Sequence, residues 1–259
     1  MKNPKQLKNK PLVEAIFELR WELIQPSISG KNMVDPNYKL LPGRIFDKVS
    51  KEYPFHEPLP TSEMPDEIAG YIIQHRFRKS SNGWPLIQLG PGIITLNDTS
   101  GYDWYDYRER IHNLLDVFYA THPQASNLKL NGLSLRYIDS IGLDSSQDSI
   151  FSFLKNKMKT DVNLNPKLFK STGVNDMPIN IDMSFSFQSV NPPGIIHQRF
   201  RKGKKENTEA LIWETVINTA SDKIPKEMNE IIKWIEDAHS LTDDWFFKTI
   251  EGELETRFA

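Results

Sequence analysis

The sequence predicts an α+β fold with a mainly antiparallel sheet and flanking helices. Three observations carry this expectation. Several segments alternate apolar and polar residues with a period of two, the signature of half-buried strands. Other segments repeat apolar residues at helical spacing. Turn signals such as Asn82-Gly83 and Asn191-Pro192-Pro193-Gly194 separate consecutive strand segments, which suits hairpins.

The first strand is predicted over 12–23, where Val13, Ala15, Phe17, Leu19, Trp21 and Leu23 alternate with Glu14, Glu18, Arg20 and Glu22. A short helix follows near 43–52, ended by Pro54. The four prolines of 54–66 predict a surface loop, because proline fixes φ and removes a donor. Strands over 69–79 and 84–96 form a hairpin, with Gly90-Pro91-Gly92 read as a bulge inside the second. Tyr107, Ile111, Leu114, Leu115 and Phe118 mark a helix from Trp104 to just before His122-Pro123, with Asp103 placed to cap it. The second half reads as a strand over 130–141, a helix near 149–158, and strands over 179–188, 195–202 and 209–219. Two helices follow, one from about Pro225 and a last one over 243–257.

The segment Ile72-Ile73-Gln74-His75-Arg76-Phe77-Arg78-Lys79 resembles Ile195-Ile196-His197-Gln198-Arg199-Phe200-Arg201-Lys202, and the helix positions Tyr107, Ile111, Leu114, Leu115 and Phe118 match Ile224, Met228, Ile231, Ile232 and Ile235 at an offset of 117 residues. These features point to two pseudo-duplicated α+β halves, 1–123 and 124–259, packed as one unit. The strand over 179–188 has no clear counterpart, which leaves chance similarity as the alternative.

Composition excludes several classes. There is no cysteine, so a disulfide scaffold, a Cys-ligated zinc site, an iron–sulfur cluster and a thiol nucleophile are ruled out. The formal charge of -2 supplies no global field toward nucleic acid or an anionic membrane, so any polyanion site must be a local patch. The N-terminal stretch starts basic, but Glu14 and Glu18 interrupt what would be an export core, and no window spans a bilayer. A cytoplasmic location and no membrane partner are expected. No HExxH pair or other ligand spacing joins the six histidines, and no nucleophile elbow occurs, so neither cofactor nor metal nor catalytic residue is expected.

The sharpest positive feature is basic. Arg76 and Arg78, followed by Lys79, and His197, Arg199 and Arg201, followed by Lys202 and Lys205, place cationic side chains along strand faces. Guanidinium forks there suit phosphate oxygens, whereas the competing reading is a solvated sheet face or an edge guarded against pairing. The aromatic stretches Trp104 to Tyr107 and Trp245 to Phe247 are candidate anchors for a protein partner.

Three stretches, Pro11-Leu12-Val13-Glu14-Ala15-Ile16 with Leu19-Arg20-Trp21, Gln88-Leu89-Gly90-Pro91-Gly92-Ile93, and Leu135-Arg136-Tyr137-Ile138-Asp139, resemble a sporadically distributed prokaryotic protein family of uncharacterised function. His239 and the segment from Phe247 to Ile250 extend the resemblance. It implies a patchily inherited, defence-type system and transfers no catalytic residue. The expectation is therefore a non-enzymatic binding subunit that engages a protein partner encoded nearby, and DNA or RNA through the basic strand face. Two alternatives stand beside it: a protein-interaction or toxin-neutralising module without nucleic-acid binding, and a small-ligand receptor or enzyme with its site between the two halves.

Overall fold

The computed structural model describes residues 7–25, 33–99, 101–143, 149–220 and 223–259. Its frame is a nine-stranded sheet in which every neighbouring pair is antiparallel. The strands are β1 (Leu12–Trp21), β2 (Phe55–Pro58), β3 (His75–Arg78), β4 (Leu86–Gly90), β5 (Ile93–Asp98), β6 (Leu130–Gly142), β7 (Asp182–Ser189), β8 (Gly194–Lys205) and β9 (Thr208–Ala220). They lie in the order β2-β3-β4-β5-β1-β6-β9-β8-β7. Five helices accompany them: α1 (Leu41–Val49), α2 (Trp104–Thr121), α3 (Ile150–Met158), α4 (Met228–Ile250) and α5 (Glu253–Phe258). The expected α+β architecture with a mainly antiparallel sheet is what the chain adopts. None of the described helices is long and apolar enough to cross a membrane.

Alternation explains the layering. Ala15, Phe17, Leu19 and Trp21 of β1 are buried, and register carries the same face through Leu96 and Ile94 of β5 and through Leu135 and Leu133 of β6. One core cluster gathers that face beneath α1, α2 and the first part of α4. A second joins Ile141, Phe200, Leu211 and Trp213 to α3, α5 and the end of α4. Both clusters draw their sheet residues from one face. The opposite face carries Glu14, Glu18, Arg20, Arg136, Glu214 and Arg199, the polar partners in the alternation.

Several local expectations are corrected. Only 75–78 of the predicted strand over 69–79 is strand. Gly90-Pro91-Gly92 is not a bulge but the corner that splits 84–96 into β4 and β5, with Gly90 paired to Ile93 across it. Pro91 and Gly92, whose φ is 77°, fill the second and third places of the turn, where proline and a positive φ are favoured. Gly90 itself must lack a Cβ, because one built there would lie 2.0 Å from the carbonyl oxygen of Ile72. The proline-rich loop contains β2, which tolerates Pro58 because it is the outermost strand. The two predicted C-terminal helices divide elsewhere: α4 runs unbroken for 23 residues through 243, opened by a reciprocal Glu227–Glu230 capping box, and the break falls at Gly252, φ 102°, before α5. Thr242 and Thr249 fit inside α4 because their hydroxyls donate to carbonyls one turn back.

Of the matched octapeptides, Arg76 lies on β3 and Arg199 on β8, each the second strand from its own edge of the sheet, three strands out from β1 and two out from β6 respectively. Both are amphipathic strands with a core phenylalanine, Phe77 and Phe200.

Candidate functional site

The predicted basic residues are distributed as follows. Arg76 and Arg78 share the helix-free face with His197, Arg199 and Arg201, but six strand spacings separate the two groups, about 29 Å. Most of these cations are occupied. Arg76 donates to Gln88 at 3.0 Å, and Gln88, Asn97 and Glu14 continue the chain across four strands. Arg78 pairs with Glu57 at 2.8 Å. Arg199 grips Asp182 with two parallel bonds, and Asp182 is held below the usual carboxylate range by that contact. Lys202 turns to the opposite face and meets Glu209 at 2.9 Å. His197 bonds Ser186 at 2.7 Å. Lys79 follows the end of β3, and Arg201 and Lys205 are exposed on β8. The arrangement is a mixed-charge surface rather than a continuous cationic track.

The aromatic stretches are also displaced from their predicted role. Tyr107 is fully buried and donates to the carbonyl of Leu96 at 2.8 Å. Trp245 packs against Phe187, and Trp104 stacks on His239 with ring centroids 3.6 Å apart. Of these stretches Tyr107 is buried, Trp104, Trp245, Phe246 and Phe247 are half-buried, and Tyr105 is largely exposed.

Trp104, Tyr105, Phe246 and Phe247 help line a cavity of about 150 Å³. It opens at the seam between the two core clusters, where the start of β1, the β6 strand, the start of α2 and the last turns of α4 converge. Leu7, Pro11, Leu12, Trp104, Phe246 and Phe247 give it apolar sides. Tyr102, Tyr137, Asp139, Thr215, His239 and Asp243 supply its polar groups. This is the composition expected of a small-molecule site: mostly apolar, with a few convergent polar side chains.

Each polar group is placed by local structure. Along β6, Leu133, Leu135, Tyr137, Asp139 and Ile141 all face the helices. A register shift between Leu12 and Glu14 of β1 falls beside Asp139, the kind of irregularity that re-aims side chains next to sites. Asp103 caps α2 as expected, accepting from the amides of Tyr105 and Asp106, and so fixes the helix start that presents Trp104. Tyr102, Tyr137 and His239 form a relay with both steps at 3.0 Å. With Nδ1 of His239 unprotonated, Tyr137 donates to it and Tyr102 donates to Tyr137, which satisfies all three groups.

Asp139 is the exception. It is 3 % exposed, lines the cavity, and has no hydrogen-bond or ion-pair partner among the described residues. Burial pushes its carboxyl up to about 8, so it is largely protonated at neutral pH. Burial also raises Asp243 to about 6, with Asp244 adding to the shift, and lowers His239 to about 4. Strong shifts gathered in one concave site are what functional sites require.

Asp139 was not among the predicted site residues, although it carried a legible signal. In Leu133-x-Leu135-x-Tyr137-x-Asp139-x-Ile141, a carboxylate occupies a position whose period-2 neighbours are core residues. Residues from three distant parts of the chain, Pro11 and Leu12, Tyr137 and Asp139, and His239 and Phe247, meet at this cavity. Comparison of the chain with protein-family models, with curated proteins and with solved structures found no match, so its function is read from the cavity and its walls.

Proposed function

We propose that this protein binds a small organic molecule in the cavity between the two core clusters. The carrying observation is Asp139, a buried carboxyl without a partner among the described residues that lines the cavity. A largely buried carboxyl that faces a cavity without a protein partner is free to bond a guest there. The apolar sides would bury a ligand's body while Asp139, Thr215 and His239 fix its orientation. The test is a fragment screen by NMR that follows the indole N–H of Trp104. Fragments that shift this signal, and compete with one another for it, support the reading. A screen in which no fragment moves it defeats the reading.

A second reading, engagement of a protein partner, is favoured by β7. This outermost strand exposes Phe185 (40 %) and Phe187 (50 %), and no backbone bond leaves its outer edge among the described residues. Such an edge is a template for strand addition. Analytical ultracentrifugation with candidate partners, comparing the wild-type chain with Phe185→Lys, separates this reading from the first.

A further inference from the structure

We infer that the ligand of this cavity is an organic cation: a primary or secondary ammonium carried on a small apolar or aromatic body. This inference rests on the small-ligand reading above and names its chemical class. Three carboxyl groups face the cavity, Asp139, Asp243 and Asp103, against one ammonium, Lys10. Lys10 is placed at the rim, where its Nζ donates to the carbonyl of Tyr102 at 2.6 Å and sits 5.8 Å from the Tyr102 ring centre. Asp103 is engaged in capping α2, so Asp139 and Asp243 are the carboxyls available to a guest.

The walls match that charge. The rings of Tyr102, Trp104, Tyr137 and Phe246 line the same cavity as the carboxyls, and aromatic faces attract cations through their quadrupole. Carboxylate plus aromatic cage is the chemistry that recognises ammonium groups, and the apolar residues Leu7, Pro11 and Leu12 are suited to the attached body. An anion would face three acids with one rim lysine to offset them. A neutral guest could accept a hydrogen bond from protonated Asp139 but would make no use of Asp243. No arginine lines the cavity among the described residues, and His239 is uncharged at neutral pH, so no internal cation from this set competes for the site.

An ammonium seated against Asp139 ionises it, and the proton leaves to solvent. The experiment uses phenethylamine as the cationic probe, with 2-phenylethanol and phenylacetate as neutral and anionic counterparts of the same body. Isothermal titration at pH 7 is run in phosphate and in MOPS, whose different ionisation enthalpies reveal proton release. The expected result is that phenethylamine binds at least about tenfold more tightly than either counterpart and releases a proton, since charge recognition by carboxylate and ring faces is lost with the others. Asp139→Asn should weaken the amine by at least about tenfold and abolish proton release, while 2-phenylethanol binds it as it binds the wild-type protein. Asp243→Asn, measured in parallel, should weaken the amine without removing the proton release. Tighter binding of the alcohol overturns the cation assignment and leaves the small-ligand reading standing. Preferential binding of phenylacetate, or no binding of any probe to folded protein, also overturns it; the NMR screen then decides separately whether the cavity is a ligand site.

Discussion

Replacing Asp139 by asparagine removes a buried acid while keeping its shape, and the structure dictates what should follow. Burial raises the carboxyl from an ordinary value of 3.8 to about 8. The unfolded chain therefore loses this proton near pH 4, whereas the folded chain keeps it until about pH 8. Between those limits the folded state binds more protons, so stability falls as pH rises. At pH 7 the accumulated cost is about 4 kcal/mol, from three pH units at about 1.4 kcal/mol each. The neutral amide carries no such cost, so Asp139→Asn should stabilise the protein by up to that amount at pH 7 and by little near pH 4. The titrations of Asp243, near 6 when folded, and of His239, near 6.5 when unfolded, are common to both proteins, so the difference between the two curves isolates Asp139. Between pH 6.5 and 8 the wild-type protein should lose about 2 kcal/mol relative to the Asp139→Asn variant. Urea unfolding followed by tryptophan fluorescence at half-unit pH steps measures both curves. A variant that is less stable at pH 7, or a pH profile unchanged by the substitution, would refute the claim that this carboxyl is buried and unpartnered. A stabilising substitution at a cavity wall would itself mark a residue retained at the expense of stability.

Other outcomes can be checked on the same protein. Phe200→Ala deletes a fully buried ring beside Trp213 and should cost about 3–5 kcal/mol in urea unfolding. Phe185→Lys places a charge on the bare edge of β7 and should reduce self-association in light scattering while changing stability by no more than about 0.5 kcal/mol. Arg199→Ala with Arg201→Ala should lower the salt slope of DNA or RNA binding by about 1, because Arg199 is already held by Asp182; a change of about 2 would mean that both guanidiniums meet phosphates. His239→Phe keeps the Trp104 stack but breaks the relay to Tyr137, and should move the Trp104 fluorescence without unfolding the chain.

The sequence by itself determined the element types and most of their boundaries, because alternation and helical spacing follow from one buried face and one wet face. β1, α2, β6, β8 and β9 were legible on that ground. It also determined the Asp103 cap, a local event that needs no tertiary partner. Period alone misleads elsewhere. The strand over 179–188 alternates most cleanly, yet β7 is an edge whose phenylalanines remain half exposed, since periodicity reports two faces and not what covers them. Arg76, Arg78 and Arg199 read as free cations because their partners Gln88, Glu57 and Asp182 are supplied by neighbouring strands 12 to 21 residues away. The cavity was least accessible to sequence reading. Its groups come from five elements and the segments that lead into them, between Leu7 and Phe247, and only the pairing of β1 with β6 and of β6 with β9, with the start of α2 and the last turns of α4 brought over them, puts Asp139 beside Trp104 and His239. Residue types set which side chains could bind a ligand. Long-range strand register and helix packing decided which of them meet, and the burial created there is what shifts their charges.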